Sequence, residues 1–189
     1  MVPSGYIWWI SRLERYDMFG MLANWLGGTQ LHDLFGGLLT KKGNPANYGA
    51  TDYAPAAGYL VYKYYGTNMT GLRVNTTGST DRWLDVYSTV GTDKVRILAG
   101  VKVHTGTYAV TVRGLGAVGY PSGSGGSVDV TAYSFDGAST KVVVAGVEPA
   151  SRGKTTYPIT NDSITITIRQ TENHTGWAYE FDVKKPNQP

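Results

Sequence analysis

The stretch that decides the fold is VRILAGVKV, residues 95–103, in which apolar positions recur at every second residue. The recurring positions are Val95, Ile97, Ala99, Val101 and Val103, and between them stand Arg96, Leu98, Gly100 and Lys102. Successive side chains of a β-strand point to opposite faces of its sheet, so a period of two indicates a strand. The stretch therefore predicts a half-buried β-strand.

Strands dominate the chain from about residue 70 onward, and most of them show the same alternation. Further strands are predicted at residues 72–74, 84–90, 108–112, 128–132, 141–147, 164–168 and 177–183. Turn signals such as YPSGSGGS and FDGAST separate them, and PSGSGG at 121–126 predicts a hairpin loop. About eight strands with such turns between them predict a mainly β fold, an antiparallel β-sandwich.

The first 66 residues have a different pattern, helical and aromatic. Residues 11–21 predict a helix with Ser11 as its cap and Glu14 as the capping-box partner. A short apolar run at 21–25 predicts a buried strand, residues 31–39 show helical spacing of leucines, and 56–65 permits a helix or a strand. The change of pattern predicts two units, residues 1–66 and residues 67–189.

Charge and composition limit the class of partner. The chain has 17 basic and 14 acidic side chains and a net charge of +3. The basic residues are scattered, whereas a nucleic-acid surface shows a basic stripe, so no nucleic-acid partner is predicted. No apolar run is long enough to span a membrane, which predicts a soluble chain with no membrane partner.

No motif of enzymatic or metal chemistry is evident. The chain has no cysteine, and its three histidines lack the spacing of a metal site, so neither a metal nor a cofactor is predicted. Hydrolysis of a glycoside requires two carboxylates that flank the bond. Asp81 with Asp85, or Glu180 with Asp182, leaves an unrecognised carboxylate pair open, although the second pair is better explained as solvated charge on one strand face.

Four of the eight asparagines stand in Asn-x-Ser/Thr sequons. They are the predicted glycosylation sites Asn68, Asn75, Asn161 and Asn173. This enrichment predicts a secreted glycoprotein, although a threonine-rich β protein also forms sequons by chance. The first 20 residues have no signal-peptide pattern, so either the sequons are unused or the chain is a fragment of a secreted parent.

Aromatic residues are concentrated in the first third of the chain. Their rings stack on sugar faces, and their polar tips bond hydroxyl groups. Candidate saccharide-binding residues are Trp8, Trp9, Trp25, Tyr48 and Tyr53. The tyrosines between residues 59 and 65 are expected instead to pack between the two units.

An ordered series of motifs resembles a known family. ANWLGGTQLHDLFGGLLTKKGNPANYGATDYAPAAGYLVYKYYGTNMTG, residues 23–71, looks like the closing portion of a (β/α)8-barrel glycoside hydrolase, with a last strand ending in Trp, a GGLLT segment and a terminal helix. RVNTTGSTD at 73–81, the run from Leu84 to Leu115 and WAYEFDV at 177–183 resemble the C-terminal β-sandwich of secreted fungal glycoside hydrolases.

This resemblance implies the C-terminal part of a secreted glycoside hydrolase. The sandwich would be an accessory, stabilising or carbohydrate-binding module, with oligo- or polysaccharide as partner. In such enzymes the catalytic glutamates lie on earlier barrel strands, so no catalytic residue is assigned and the chain is expected to be catalytically incomplete. Trp25, with Asn24 as its neighbour, corresponds to a substrate-stacking platform.

Two alternatives stay open beside the fragment. One is a stand-alone, lectin-like carbohydrate-binding protein, and the other is a small hydrolase with an unrecognised carboxylate pair. Removing a barrel would also expose apolar surface in the first unit. We therefore expect self-association through Trp8, Trp9 and residues 31–39.

Overall fold

A computed structural model describes residues 2–20, 38–42, 51–137 and 148–184. Within these ranges there are two α-helices, α1 (Pro3–Tyr16) and α2 (Ala57–Asn68). The strands of the same ranges are β1 (Leu39–Lys41), β2 (Tyr53–Pro55), β3 (Leu72–Arg73), β4 (Leu84–Val90), β5 (Lys94–Val101), β6 (Gly106–Arg113), β7 (Ser127–Phe135), β8 (Ala150–Pro158), β9 (Ser163–Gln170) and β10 (Gly176–Asp182).

The larger sheet has six strands in the order β3-β4-β5-β10-β7-β8, and every neighbouring pair is antiparallel. A second sheet pairs β6 with β9, and a small third one pairs β1 with β2. Strand β5, which carries the stretch that decides the fold, lies inside the large sheet between β4 and β10. The predicted mainly β fold with an antiparallel sandwich is confirmed.

One core lies between the two larger sheets. Strand β5 contributes Val95, Ile97, Ala99 and Val101 to it, each at most 3% exposed. Strand β9 contributes Ile164, Ile166 and Ile168 from the opposite side, each at most 1% exposed. Burial of one such side chain stabilises the fold by about 1.5–3 kcal/mol. The period-2 pattern of both strands therefore reflects the burial of every second side chain in this core.

A second core lies on the other face of the six-stranded sheet, under the two helices. Leu98 of β5 and Phe135 of β7 are fully buried there against Ile7 of α1 and Val61 of α2. The prediction that β5 is only half-buried is therefore wrong, because helices cover its second face. Gly100 allows α1 to lie close to the sheet, since a Cβ at this position would stand 2.3 Å from the carbonyl oxygen of Ser4.

Helix α1 begins eight residues earlier than the cap predicted at Ser11. Pro3 stands in the first turn, where its fixed φ suits a helix start, and Asp17 ends the helix in a left-handed conformation with φ of 50°. Ser11 is buried inside the helix, where its hydroxyl donates a hydrogen bond of 2.8 Å to the carbonyl oxygen of Ile7. The predicted capping box is therefore wrong. The helix begins in the aromatic stretch at residues 3–10, which was not predicted to be helical.

Three other predictions are corrected by the topology. Strand β8 was missed because seven of its first eight residues are exposed and it carries no apolar alternation. Residues 121–126 join a short 3₁₀ helix, Leu115–Val118, to β7 and so connect two sheets instead of forming a hairpin. Leu39 belongs to β1, so helical spacing does not continue to the end of 31–39.

The remaining predictions concern residues 21–37, 56–65 and 141–147 and the division of the chain. The strands predicted at 21–25 and 141–147 lie outside the described residues, as do residues 31–37. For 56–65, left open between helix and strand, the structure has helix α2. The division into units 1–66 and 67–189 stays a prediction. Among the described helices, none has the length and apolar content needed to cross a membrane.

Candidate functional site

A tight loop at residues 79–83 presents Trp83, the most exposed tryptophan of the described sandwich, at the surface. The amide of Arg82 donates to the carbonyl oxygen of Ser79 at 2.9 Å, which closes the turn. The Asp81 carboxylate accepts a hydrogen bond of 2.9 Å from the amide of Trp83 and a second one from the Ser79 hydroxyl. These bonds fix the backbone under Trp83, whose side chain is 37% exposed.

A neighbouring imidazole covers one face of the Trp83 ring. His104 stacks on it with a centroid separation of 4.9 Å and an interplanar angle of 16°. His104 belongs to the segment that follows β5, and the amide of Lys102 in that segment donates to the carbonyl oxygen of Trp83 at 2.9 Å. Two short segments therefore hold a parallel aromatic stack at the same end of the sheet, and we call this stack the aromatic platform.

A second tryptophan, Trp8 of α1, is tied to this loop. Its indole N–H donates a hydrogen bond of 3.2 Å to the carbonyl oxygen of Arg82. The guanidinium of Arg12 lies 4.1 Å from the centroid of the Trp8 ring, and the Lys102 ammonium lies 5.1 Å from it. We call the group formed by Trp8, Arg82, Trp83, Lys102 and His104 the Trp83 surface.

The electrostatics of the Trp83 surface are mainly positive. Arg82 and Lys102 are exposed, and no salt bridge joins either of them to a carboxylate in the described ranges. Asp81 is the carboxylate next to them, and the hydrogen bond from the Ser79 hydroxyl lowers its pKa. Arg12 is a different case, because it lies 3.4 Å from the buried carboxylate of Asp85.

A groove of about 680 Å³ opens between β4 and β6. Ser79 and Tyr108 belong to its lining, which brings one part of the groove next to the Trp83 surface. Tyr108, Val110 and Val112 of β6 are half-buried along it, and β6 pairs only with β9 in the described sheets. The groove is therefore lined by apolar side chains and bordered by hydroxyl groups.

The predicted carboxylate pairs do not form a catalytic arrangement. Asp85 is fully buried and bonded by the guanidinium of Arg15, so it has a structural role. Glu180 was expected to be a solvated charge and is instead 5% exposed. It accepts hydrogen bonds of 2.6 Å from the Tyr64 hydroxyl and 2.7 Å from the Lys94 ammonium. That expectation is wrong because α2 covers this face of β10.

Metal chemistry has no visible support in the part of the chain that is described. There, no three side chains of the His, Asp or Glu type are grouped closely enough to hold a metal ion.

The predicted saccharide-binding residues are distributed over several places. Trp8 is part of the Trp83 surface, whereas Trp9 is half-buried and its indole nitrogen is enclosed without a hydrogen-bond partner in the described chain. Tyr53 lies in β2, opposite Lys41, and is 45% exposed. Asn24, Trp25 and Tyr48 lie outside the described residues. The role of all six residues stays a prediction.

Sequence reasoning missed Trp83 and His104 as members of a site. The available signal was the turn sequence STDRW at 79–83, in which Asp and Ser precede a lone tryptophan. The pairing of Trp83 with His104 had no signal in the sequence, because it depends on the register of β4 against β5.

The four predicted glycosylation sites lie in described segments. Asn75, Asn161 and Asn173 are exposed, and Asn68 at the end of α2 is half-buried. Asn75 also belongs to the lining of the groove. Their occupancy by glycans stays a prediction.

No protein-family model matches the chain, and no curated protein matches it. Among solved structures, N2152 from Neocallimastix frontalis aligns with 95% of this chain at 20% identity and a TM-score of 0.62. The chain spans 41% of the length of that protein. At this identity the likeness is one of fold.

Two further solved structures are less similar. A GH30 endoxylanase from Clostridium papyrosolvens C71 aligns with 72% of this chain and 30% of its own, at 16% identity and a TM-score of 0.43. The β-porphyranase BpGH86A of glycoside hydrolase family 86, from the human gut bacterium Bacteroides plebeius, aligns with 97% and 32%, at 14% identity and a TM-score of 0.46. Scores of this size do not relate the chemistry of those enzymes to this chain.

Proposed function

We propose that this chain is the C-terminal part of a secreted glycoside hydrolase, in which the β-sandwich is an accessory module that binds an oligo- or polysaccharide through the Trp83 surface. The observation that carries the proposal is the exposed stack of Trp83 on His104 at the end of a rigid sheet. The ordered motifs of residues 23–71 support the family, and the described fold agrees with a sandwich next to helical elements.

Physical chemistry favours a saccharide on such a surface. A pyranose ring presents C–H groups that pack on a flat aromatic ring, while its hydroxyl groups need polar partners at the rim. Trp83 and His104 supply the ring, and Asp81, Arg82 and Lys102 supply the polar rim. The loop is fixed by hydrogen bonds before any ligand arrives, which lowers the entropy lost on binding.

Secretion belongs to the same proposal. Three of the four sequon asparagines are exposed on the sandwich and are free of steric protection by the core. Glycans at these positions require passage through a secretory compartment. Mass spectrometry of the protein from its natural source, before and after treatment with a peptide N-glycosidase, measures their occupancy. Unmodified asparagines at all four sites would remove this support.

The proposal assigns no catalytic residue to this chain. Asp85 is neutralised by arginines in the core, and Glu180 is buried under α2. We expect no hydrolysis of any polysaccharide that the chain binds. Turnover that is lost in Asp85→Asn, while the variant keeps its melting temperature, would favour the small hydrolase instead.

The lectin-like alternative predicts the same binding surface, but it predicts a different coding sequence upstream of this chain. Sequencing the source transcript upstream of the Met1 codon separates the two. An open frame that continues into strand-helix units with two glutamates supports the hydrolase parent. An in-frame stop just before Met1 would favour a stand-alone binding protein.

The binding experiment is native affinity electrophoresis in gels that contain one polysaccharide each, neutral or acidic. We expect retardation of the chain in at least one gel and its loss in Trp83→Ala. The matched control is Tyr16→Ala, which removes a 61% exposed ring from the last turn of α1. No retardation in any gel, or equal retardation of Trp83→Ala, would overturn the proposed site.

A further inference from the structure

The Trp83 surface carries more positive than negative charge in the part of the chain that is described. Arg82 and Lys102 are exposed on adjacent segments and form no salt bridge in the described ranges. Arg12 differs because it lies 3.4 Å from the buried carboxylate of Asp85, which Arg15 also contacts. Exposed cations alone are common on proteins, so the argument depends on how these two are held.

The backbone of Arg82 is held in one conformation. Its φ is 64°, and its carbonyl oxygen accepts hydrogen bonds from the Trp8 indole at 3.2 Å and from Arg12 at 3.4 Å. A left-handed residue other than glycine is uncommon and needs such support. The Arg82 side chain therefore extends from a fixed backbone position, directly before Trp83 in the chain.

Lys102 is positioned by two contacts. Its amide continues the ladder between β4 and β5 by donating to the carbonyl oxygen of Trp83 at 2.9 Å. Its ammonium lies 5.1 Å from the centroid of the Trp8 ring. A cation–π contact restrains a lysine without cancelling its charge, so the ammonium keeps hydrogen-bond donors for a ligand.

One carboxylate opposes the two cations. Asp81 accepts hydrogen bonds from Ser79 and from the amide of Trp83, and its pKa is lowered, so it is ionised near neutral pH. Two cations against one carboxylate leave a net positive rim beside the aromatic platform. A guanidinium matches a planar carboxylate in a bidentate geometry, and an ammonium adds a compact charge.

We infer that the Trp83 surface selects an acidic saccharide chain, one that carries carboxylate groups on its sugar rings, over a neutral chain of the same backbone. This inference rests on the proposed function, because it assigns the ligand class of the same surface. A nucleic acid is the less favoured anion. Its binding requires a run of cations along a groove, whereas the described part of the Trp83 surface offers Arg82 and Lys102.

The test uses pairs of polysaccharides that differ only in charge. One pair is polygalacturonate and its fully methyl-esterified form, and a second is alginate and its carboxyl-reduced form. Isothermal titration with each polymer gives a ratio of affinities, acidic over neutral, for the full chain. We expect a ratio of about ten or more for at least one pair, the size of one charge-assisted contact.

Variants then assign the ratio to the two cations. The double variant Arg82→Gln with Lys102→Gln is expected to bring the ratio close to one, because the loss of two cations lowers the affinity for the acidic polymer more than the affinity for the neutral one. The control is Lys154→Gln, an exposed lysine of β8 at the opposite edge of the six-stranded sheet, which should keep the wild-type ratio. Melting curves establish that each variant is folded.

The outcomes separate this inference from the proposed function. Equal affinity of the wild-type chain for acidic and neutral forms overturns the acidic preference and leaves saccharide binding intact. Binding of neither form of either pair overturns the inference, and the proposed function falls with it only if the wider polysaccharide panel is also negative. Equal competition by a single-stranded oligonucleotide would show a general anion site and would also overturn the inference.

Discussion

Arg15 of α1 donates two hydrogen bonds to the fully buried carboxylate of Asp85 in β4, one of them from Nη1 to Oδ2 at 2.9 Å. The same carboxylate lies 3.4 Å from Arg12, which in turn reaches the carbonyl oxygen of Arg82. One buried acid therefore joins α1 to β4, the strand that follows the Trp83 loop. The geometry of the candidate site depends on this connection.

Replacing Asp85 by Asn should destabilise the protein strongly. The substitution leaves two arginines facing a core position without a countercharge, and breaking a buried pair in this way costs about 3–5 kcal/mol. Urea unfolding at neutral pH measures the loss. Asp129→Asn is the control, because Asp129 is an exposed acid of β7 whose partner is the Thr156 hydroxyl. Equal midpoints for the two variants would contradict the structural role of Asp85.

Tyr64→Phe should lower the free energy of unfolding by about 1–3 kcal/mol, since it removes a donor from buried Glu180. Burial, and then the hydrogen bond to Glu180, raises the pKa of Tyr64 above its ordinary value. The unfolded chain releases this proton near pH 10, so the contribution of Tyr64 is full below that pH and declines above it.

Urea unfolding between pH 8 and about pH 11 tests this dependence. The wild-type chain should lose more stability than Tyr64→Phe over that interval. Tyr16→Phe is the control, since Tyr16 is 61% exposed. A parallel pH dependence of the wild type and Tyr64→Phe would contradict the assignment.

The ionised carboxylate of Asp93 should contribute to the free energy of unfolding, and this contribution should disappear at strongly acidic pH. The hydrogen bond from Arg96 lowers the pKa of Asp93 to about 2. Because the folded pKa is below the unfolded one, the contribution is present above about pH 4 and is lost as the pH falls toward the folded value.

Asp93→Asn should therefore be less stable than the wild type at pH 6, by no more than about 1 kcal/mol for so exposed a pair. The difference should close between pH 4 and about pH 2. Chemical unfolding at the three pH values measures it, and a difference that stays constant with pH would contradict the ion pair.

A glycine substitution in β5 tests the contact of α1 with the sheet, and a matched substitution in α2 is its control. Gly100→Ala places a methyl group 2.3 Å from the Ser4 carbonyl oxygen, so we expect α1 to be displaced and a loss of about 1–3 kcal/mol. Gly66→Ala is the matched change in α2, where a Cβ meets nothing within 4 Å. It should instead stabilise the protein by about 0.5–1 kcal/mol. Equal melting temperatures for the two variants would contradict this packing.

The sheet was predictable where one periodicity controlled it, and the site was not. Strands β4, β5, β9 and β10 follow from apolar alternation, whereas β8 carries polar side chains at an edge and leaves no such signal. Ser11 was misread as a cap because a serine inside a helix can bond the preceding turn.

Long-range contacts explain the remaining failures. The burial of Glu180 depends on α2, which precedes it by more than 100 residues, and Trp83 meets His104 only through strand register. No local pattern encodes such pairs. Trp8 was identified from its residue type, but its link to the Arg82 carbonyl also needed the fold.

The most direct test of the account is hydrogen–deuterium exchange of the chain with and without the polysaccharide that it binds best. The account predicts slower exchange in the peptides that cover residues 79–84 and 102–106, with Trp83→Ala abolishing the change. The peptide that covers Tyr53 should exchange at the same rate in both samples. Protection confined to the Tyr53 region, or unchanged exchange around Trp83 at saturating ligand, would contradict the assignment of saccharide binding to the Trp83 surface.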